Sequence, residues 1–213
     1  VILYSVVFMV DYALVARAVL RAERGKAHQA QFRYMKLKQQ VNPHFLFNSL
    51  NILDCLVCEQ RTEQASAYIH KLAGIYRYML QNEEETLVRL REEMAFVGMY
   101  VDLLQVRFPE GFRVETDISD EAMNRHVLPC SVQLLIENAI KHNSVGADRP
   151  LVIRIVAVAE AVTVSNNLQL KVSGNPSTRV GLNYIRQQYL DLSGIPIGIR
   201  RTDTEYCVTL PLL

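Results

Sequence analysis

The sequence has no tryptophan and few of the residues that mark fibrous, low-complexity or disulfide-rich chains. Its 213 residues include only 9 Gly, 7 Pro and 4 Cys, which excludes collagen-like repeats and long flexible segments. The cysteines stand at 55, 58, 130 and 207 with no second close pair. Neither a disulfide framework nor a four-cysteine zinc site is therefore indicated, and we expect reduced thiols.

An excess of charge of one sign is also absent. The chain has 23 Lys and Arg against 22 Asp and Glu, for a net charge of +1. This balance excludes a uniformly basic nucleic-acid-binding surface. Half of the residues are apolar and 21% are charged, so the chain is not wholly disordered and is long enough to bury a core.

The N-terminal residues are apolar but too few to span a bilayer alone, which takes about 20 residues. The run 1–10 is interrupted only by Ser5, resumes after Asp11 and is followed by seven basic residues and one acidic residue over 17–38. Basic residues beside an apolar segment are typical of the cytoplasmic end of a membrane helix. We expect residues 1–20 to end the last transmembrane helix of a longer protein, in the cytoplasmic (inner) membrane, with later residues in the cytoplasm. The alternative is a helix buried against a partner chain, which Asp11 favours.

Apolar residues recur at helical spacing through the first third of the chain. The region 17–58 predicts one long or two abutting helices, and a second helix extends to about Leu80 with its stripe on Ala65, Tyr68, Leu72 and Ile75. Two such helices form a hairpin that buries its stripes best by pairing with a second copy in a four-helix bundle. Cys55 and Cys58, three residues apart, are predicted to pack in the core rather than to form a redox or metal site.

Helices and strands alternate after an acidic connector at 81–85. A third helix is predicted over Leu90–Arg107 and further helices over Pro129–His142 and Val180–Leu190. The predicted strands are Phe112–Ile118, Leu151–Ala159, Ala161–Val164, Ile197–Arg201 and Tyr206–Leu210. The predicted fold class is α+β: a helical hairpin followed by a domain with helices on one face of a mixed sheet.

Three segments contain side chains suited to phosphate chemistry. The first is Gln40–Asn51, in which Pro43 favours the first turn of a helix and His44 shares a face with Asn48. A neutral imidazole is a nucleophile near pH 7, and a nearby amide can orient it. The alternative is an ordinary surface or core histidine.

The second segment is Gln133–Asn143, where Asn138, Lys141 and His142 project together from one helix. An amide oxygen suits Mg²⁺, and a lysine suits phosphate. The third is Ser177–Arg186, a loop entering a helix that can present backbone N–H groups to phosphate. The alternatives are an ordinary amphipathic helix and an ordinary helix cap.

Taken together, these segments resemble the LytS/YehU type of bacterial sensor histidine kinase. The strings that carry the resemblance are Asn42-Pro43-His44-Phe45-Leu46-Phe47-Asn48 and Ile136-Glu137-Asn138-Ala139-Ile140-Lys141-His142. Further marks are Leu90-Arg91-Glu92-Glu93, Arg107-Phe108, Leu128-Pro129 with Gln133, and Val208-Thr209-Leu210-Pro211. The resemblance covers residues 25–213 and implies a dimerisation and phospho-acceptor domain over 21–85. It also implies a Bergerat (GHKL-type) α/β sandwich that binds ATP over 86–213.

The resemblance also implies the roles of individual residues. His44 would be the phospho-acceptor, with Asn48 and Glu137 as further catalytic candidates and Asn138 as the Mg²⁺ ligand. The nucleotide-facing candidates are Asn138, Lys141, His142, Asn166, Asn167, Arg179, Gly181 and Leu182. The implied ligands are ATP and Mg²⁺, and the implied partners are a second copy and a response regulator of the LytTR kind. Contact with DNA would then belong to the regulator.

Two motifs depart from the family pattern. Asn166-Asn167-Leu168 stands where the family has Asp-Asn-Gly, whose Asp recognises the adenine amino group. Arg179-Val180-Gly181 replaces one glycine of a Gly-x-Gly box. The residue after His44 is Phe45, where many other kinase families have a carboxylate that acts as a base. Any general base must therefore come from elsewhere, or the neutral ring attacks without one. The predicted function is Mg-ATP-dependent autophosphorylation of His44 and phosphotransfer to an aspartate. The alternatives are a degenerate, non-catalytic receptor dimer and a Bergerat-fold ATPase without phosphohistidine.

Overall fold

The computed structural model describes residues 43–82, 85–171 and 180–213, and at Pro43, His44 and Val180 it describes the backbone only. Contacts divide the chain into two compact units, Val1–Leu46 and Phe47–Leu213. The predicted membrane helix at 1–20 lies outside the described residues. Among those residues, no helix is long and apolar enough to cross a membrane.

The described secondary structure alternates short strands with helices after an initial pair of helices. Its elements are α1 (Pro43–Cys58), α2 (Thr62–Gln81), β1 (Val88–Arg89), α3 (Leu90–Arg107), β2 (Phe112–Ile118), α4 (Asp120–Met123), β3 (His126–Val127), α5 (Ser131–His142), β4 (Leu151–Val158), β5 (Ala161–Asn167), α6 (Val180–Ser193), β6 (Gly198–Arg201) and β7 (Glu205–Pro211).

The helices α1 and α2 form the predicted hairpin. A tight turn joins them, with Gln60 in the left-handed region at φ 57°. The α2 stripe is buried at Ala65, Tyr68, Ile75 and Met79, as helical spacing predicts. Several apolar side chains of the hairpin are exposed, namely Phe47, Leu50, Val57, Ile69 and Leu80. The four-helix bundle of a dimer stays a prediction.

The cysteines of α1 do not follow the prediction. Cys55 and Cys58 are both exposed, whereas Leu56 between them is buried. The prediction that both thiols pack in the core is therefore wrong. The face of α1 that is buried carries Leu56 instead.

Five strands form one mixed sheet in the order β2-β4-β5-β7-β6. The pair β2 and β4 is parallel, and the other neighbours are antiparallel. Alternate residues of β4 are buried, from Leu151 to Ala157, because successive strand side chains point to opposite faces. Their outward neighbours Val156 and Val158 are exposed. A separate antiparallel pair, β1 with β3, lies outside this sheet.

The helix α5 lies at the centre of the helical layer. It contacts β4 and β5 of the sheet and also α3 and α6. Its buried side chains include Val132, Leu135, Ile136 and Ala139, so the remaining arc of the helix is left for polar residues. The α+β fold class is confirmed, with α3 and β2 at their predicted bounds. The pair β1 and β3 and the helix α4 were not predicted, since elements of two to four residues show no periodicity.

Candidate functional site

The backbone places His44 in the first turn of α1. The helix begins at Pro43, where a proline costs no hydrogen bond because the first N–H groups of a helix have no intrahelical partner. Asn48 follows four residues later and is half-buried. The next residue, Ser49, is buried and its side chain bonds to Tyr68 of α2. Ser49 thus links α1 to α2.

The polar arc of α5 brings the predicted residues of the second motif together. Glu137 accepts a hydrogen bond of 3.0 Å from Gln133 Nε2, Asn138 is half-buried and Lys141 is exposed. Burial lowers the pKa of His142, and the positive charges of Lys141 and Lys171 lower it further. The imidazole of His142 is therefore neutral at neutral pH.

The first turn of α6 lies against this arc of α5. A Cβ added at Gly181 would come within 2.9 Å of Leu134 Cδ1, so the glycine permits a close approach between the two helices. Leu134, Asn138 and Lys141 recur at spacings of four and three and share one face of α5. Gly181 and Leu182 therefore stand beside the face that carries Asn138. Arg179 lies outside the described residues.

The two asparagines at the end of β5 have different surroundings. Asn166 is buried on the same face of the strand as Val164, and its Nδ2 donates to the Asn167 carbonyl over 2.8 Å. Asn167 Oδ1 accepts from the Val152 N–H over 2.7 Å, which ties the end of β5 to the start of β4. Asn166 faces the helical layer, whereas the Asn167 oxygen is occupied by the sheet.

The segment after β5 is attached to the C-terminal end of α5. Asn143 Oδ1 accepts from the Gln169 N–H over 2.8 Å, and its Nδ2 donates to the Ala139 carbonyl. Lys171 Nζ donates to the carbonyls of Ile140 and Lys141 at 3.1 and 3.0 Å. Cations favour the C-terminal end of a helix, and these bonds bring the segment that follows Asn167 close to Lys141 and His142.

Comparison with known proteins finds a family similarity in the part of the chain that precedes α5. The model of the family "Histidine kinase" matches residues 32–112, a segment that contains the Asn42–Asn48 string, the hairpin and α3. Over this segment the chain is similar to histidine kinases.

The similar curated proteins include sensors of the LytS kind. The chain is 39% identical to the sensor protein LytS of Bacillus cereus over 106 residues, covering 50% of this chain and 18% of that protein. It is 37% identical to the sensor histidine kinase/phosphatase LytS of Staphylococcus aureus over 106 residues, with the same two shares, 50% and 18%. With LytS of Staphylococcus haemolyticus it shares 28% identity over 190 residues, covering 82% of this chain and 32% of that protein. The chain thus spans between 18% and 32% of the length of these relatives.

Solved structures give weaker likenesses. The catalytic domain of histidine kinase ThkA matches with a TM-score of 0.43 and 14% identity, covering 59% of this chain and 95% of that one. A bacterial phosphotransferase matches with a TM-score of 0.46 and 16% identity, covering 83% of this chain and 94% of that one.

One buried acidic residue occupies a position to which the sequence patterns assign no role. Glu93 is fully buried, with 0% of its surface exposed, and accepts from the N–H groups of Cys130 and Val132 at 2.9 and 3.0 Å. Burial raises the pKa of Glu93 to about 7, although its hydrogen bonds favour the charged form. A signal was present, since Glu93 lies three and four residues from the apolar Leu90 and Val97 on the inner face of α3.

Proposed function

We propose that the chain transfers the γ-phosphoryl group of ATP to His44 and then to an aspartate of a response regulator. The observation that best supports this is the Asn138 face of α5, where an amide and Lys141 stand beside the first turn of α6. The family match over residues 32–112, which include His44, supports His44 as the proposed acceptor. The positive end of the α6 dipole and the Lys141 charge suit a polyphosphate.

In the proposed reaction, some residues hold the nucleotide and His44 accepts its γ-phosphoryl group. A lone pair on one imidazole nitrogen of His44 forms the N–P bond, and the bond between the γ-phosphorus and the bridging oxygen breaks, so that ADP leaves with that electron pair. The proton on the other ring nitrogen is then lost to solvent or to a base. We assign Asn48 to orienting the ring and Glu137 to the nucleotide-facing side of the reaction.

The donor set of α5 fits a magnesium nucleotide. Asn138 would supply an oxygen ligand, with phosphate oxygens and water completing the set, as is usual for Mg²⁺. When bound, Mg²⁺ neutralises phosphate charge. Lys141 would contact phosphate, and neutral His142 adds no second positive charge beside it. Asn166 would accept the hydrogen bond of the adenine amino group from its buried position on β5.

The proposed organisation keeps the predicted boundaries. Residues 1–20 would end a membrane helix in the cytoplasmic membrane, 21–85 would form the dimeric phospho-acceptor domain, and 86–213 would bind ATP. The exposed apolar residues of α1 and α2, such as Phe47 and Leu80, support pairing with a second copy. The response regulator, expected to be of the LytTR kind, would make any contact with DNA.

Two observations favour a second function, a degenerate receptor dimer that signals without catalysis. Asn166 lacks the charge of the family's aspartate, and the amide oxygen of Asn167 already accepts the Val152 N–H. A Bergerat-fold ATPase without phosphohistidine is the third candidate.

Incubation of the chain with γ-labelled ATP and Mg²⁺ separates these functions. A kinase should retain label on the protein that is lost in acid, because a P–N bond is acid-labile. An ATPase should release free phosphate only, and a degenerate receptor should do neither. Either of the last two results would contradict the proposal.

Restoring the charge at Asn166 should strengthen nucleotide binding. We expect Asn166→Asp to lower the Kd for ATP about fivefold, because a charge-assisted hydrogen bond to the adenine amino group contributes about 1 kcal/mol more than a neutral one. Isothermal titration calorimetry measures this Kd. Asn167→Asp is the matched control, since the Asn167 oxygen is occupied by Val152, and it should leave the Kd unchanged. An Asn166→Asp chain that binds no more tightly would remove Asn166 from the adenine site.

A further inference from the structure

Glu93 connects three helices through one buried carboxylate. Its Oε2 accepts from the Tyr78 hydroxyl of α2 over 2.7 Å and from the Cys130 N–H over 2.9 Å. Its Oε1 accepts from the Val132 N–H in α5 over 3.0 Å. Among the ion pairs of the described residues, none involves Glu93. The partners of this buried group are thus a hydroxyl and backbone N–H groups rather than a cation.

The helix α5 depends on Glu93 for its N-terminal cap. The residue at its cap position, Cys130, is left-handed at φ 59° and makes no capping hydrogen bond with its side chain, and the first turn of α5 has no acidic residue. The first N–H groups of a helix need acceptors, and a negative charge near them is stabilising. Glu93, 39 residues from Val132, supplies acceptor oxygens to the Cys130 and Val132 N–H groups from a different helix.

Tyr78 of the hairpin helix α2 contacts Glu93, the residue that caps α5. Its ring stacks on Phe96 of α3, with centroids 4.3 Å apart and planes 11° from parallel. The stack fixes the ring and directs the hydroxyl at Glu93. Movement of α2 therefore acts on a carboxylate that also holds the start of α5.

The same helix carries Glu137 and Asn138 about two turns after its cap residue, Cys130. Gln133 bonds both to Tyr100 of α3 and to Glu137, so the first two turns of α5 are fixed against α3. A change in the position of the α5 N-terminus is passed along a rigid helix to Glu137 and Asn138.

We propose that Glu93 is a positioning residue that couples the hairpin helix α2, through Tyr78, to the nucleotide-facing helix α5. This inference rests on the proposed function for its consequence in catalysis, although the coupling itself is a property of the fold. The state of the hairpin would set the position of Asn138 through the hydrogen bonds of Glu93.

Hydrogen–deuterium exchange of the full 213-residue chain tests the coupling without any need for activity. Tyr78→Phe removes one hydroxyl and keeps the stack on Phe96. We expect it to speed exchange of the Cys130 and Val132 amides about fivefold, the effect of weakening one hydrogen bond. Exchange changes confined to α2 and α3 would overturn the proposal.

A matched control removes a different contact between α2 and α3. Lys71 Nζ bonds to Asp102 Oδ2 over 2.6 Å, a link that does not include α5. Lys71→Met should leave exchange at Val132 unchanged. An equal effect of Lys71→Met and Tyr78→Phe would indicate general loosening and would also overturn the proposal.

The kinase assay then separates positioning from stability. Because Glu93 still caps α5 in Tyr78→Phe, we expect the Kd for ATP to stay within about twofold while the rate of His44 phosphorylation falls about fivefold. Glu93→Gln, which presents an amide donor to groups that donate, should weaken ATP binding about tenfold as well, whereas exposed Glu92→Gln should change neither quantity. Normal Kd and rate in Glu93→Gln would overturn the positioning role. If the unmodified chain forms no phosphohistidine, the proposed function fails, and the exchange measurement still decides the coupling.

Discussion

Replacing His44 by alanine should abolish the acid-labile label that the chain acquires from γ-labelled ATP. No other histidine lies in the family's acceptor string, and without the imidazole no nitrogen is available to form the P–N bond. The Kd for ATP should stay within about twofold, because the role proposed for His44 is to accept the phosphoryl group rather than to hold the nucleotide. Autoradiography of the separated protein and calorimetry of ATP binding measure the two quantities.

His70 provides the matched control for this substitution. It lies on α2 and is exposed, outside every motif that carries the proposal. We expect His70→Ala to label as the unmodified chain does. Persistent label in His44→Ala would place the acceptor on another residue and would remove the main support for the proposed function.

Replacing Asn138 by alanine should weaken binding of ATP with Mg²⁺ about 100-fold and remove the label with it. The substitution deletes the oxygen proposed as the protein ligand of the ion, and a hydrogen bond or ligand contact to a charged group is worth about 1.5–3 kcal/mol. Asn138→Asp keeps an oxygen at the same place, so its affinity for ATP with Mg²⁺ should lie between those of the unmodified chain and Asn138→Ala. Titration of each variant with ATP in the presence and absence of Mg²⁺ measures the loss.

Asn124 is a suitable control because it is also an asparagine but is exposed and bonds to the Asp120 carbonyl. Asn124→Ala should bind ATP normally. An Asn138→Ala chain with unchanged affinity for ATP and Mg²⁺ would show that the polar face of α5 does not hold the nucleotide. The degenerate receptor would then be the better description.

Most of the secondary structure was predictable because each element buries one face. The apolar stripe of α3 and the alternation of β2 gave their bounds, since burial of a stripe or of alternate residues leaves a periodic pattern. The same patterns do not predict the exposure of the α1 cysteines or the role of Glu93. Cys55 and Cys58 were read as core although α1 turns them outward, and Glu93 was given no role although it is fully buried.

The candidate site was only partly predictable, because some of its contacts join segments that are distant in sequence. The polar arc of α5 followed from spacing within one helix. The attachment of Asn143 to Gln169 and of Lys171 to the end of α5 joins residues 26 to 31 positions apart. Such contacts depend on the order of the strands, which local patterns do not specify. The different surroundings of Asn166 and Asn167 follow from the pairing of β5 with β4 in the same way.

The central claim is that His44 receives the γ-phosphoryl group of a nucleotide held by the domain that contains Asn138. Tandem mass spectrometry of the chain after incubation with ATP and Mg²⁺, kept at alkaline pH to preserve the P–N bond, tests it most directly. The chain contains 5 histidines. The predicted result is one phosphoryl group on His44 and none on the other histidines. A chain that binds ATP with Mg²⁺ but carries its phosphoryl group elsewhere, or carries none, would contradict it.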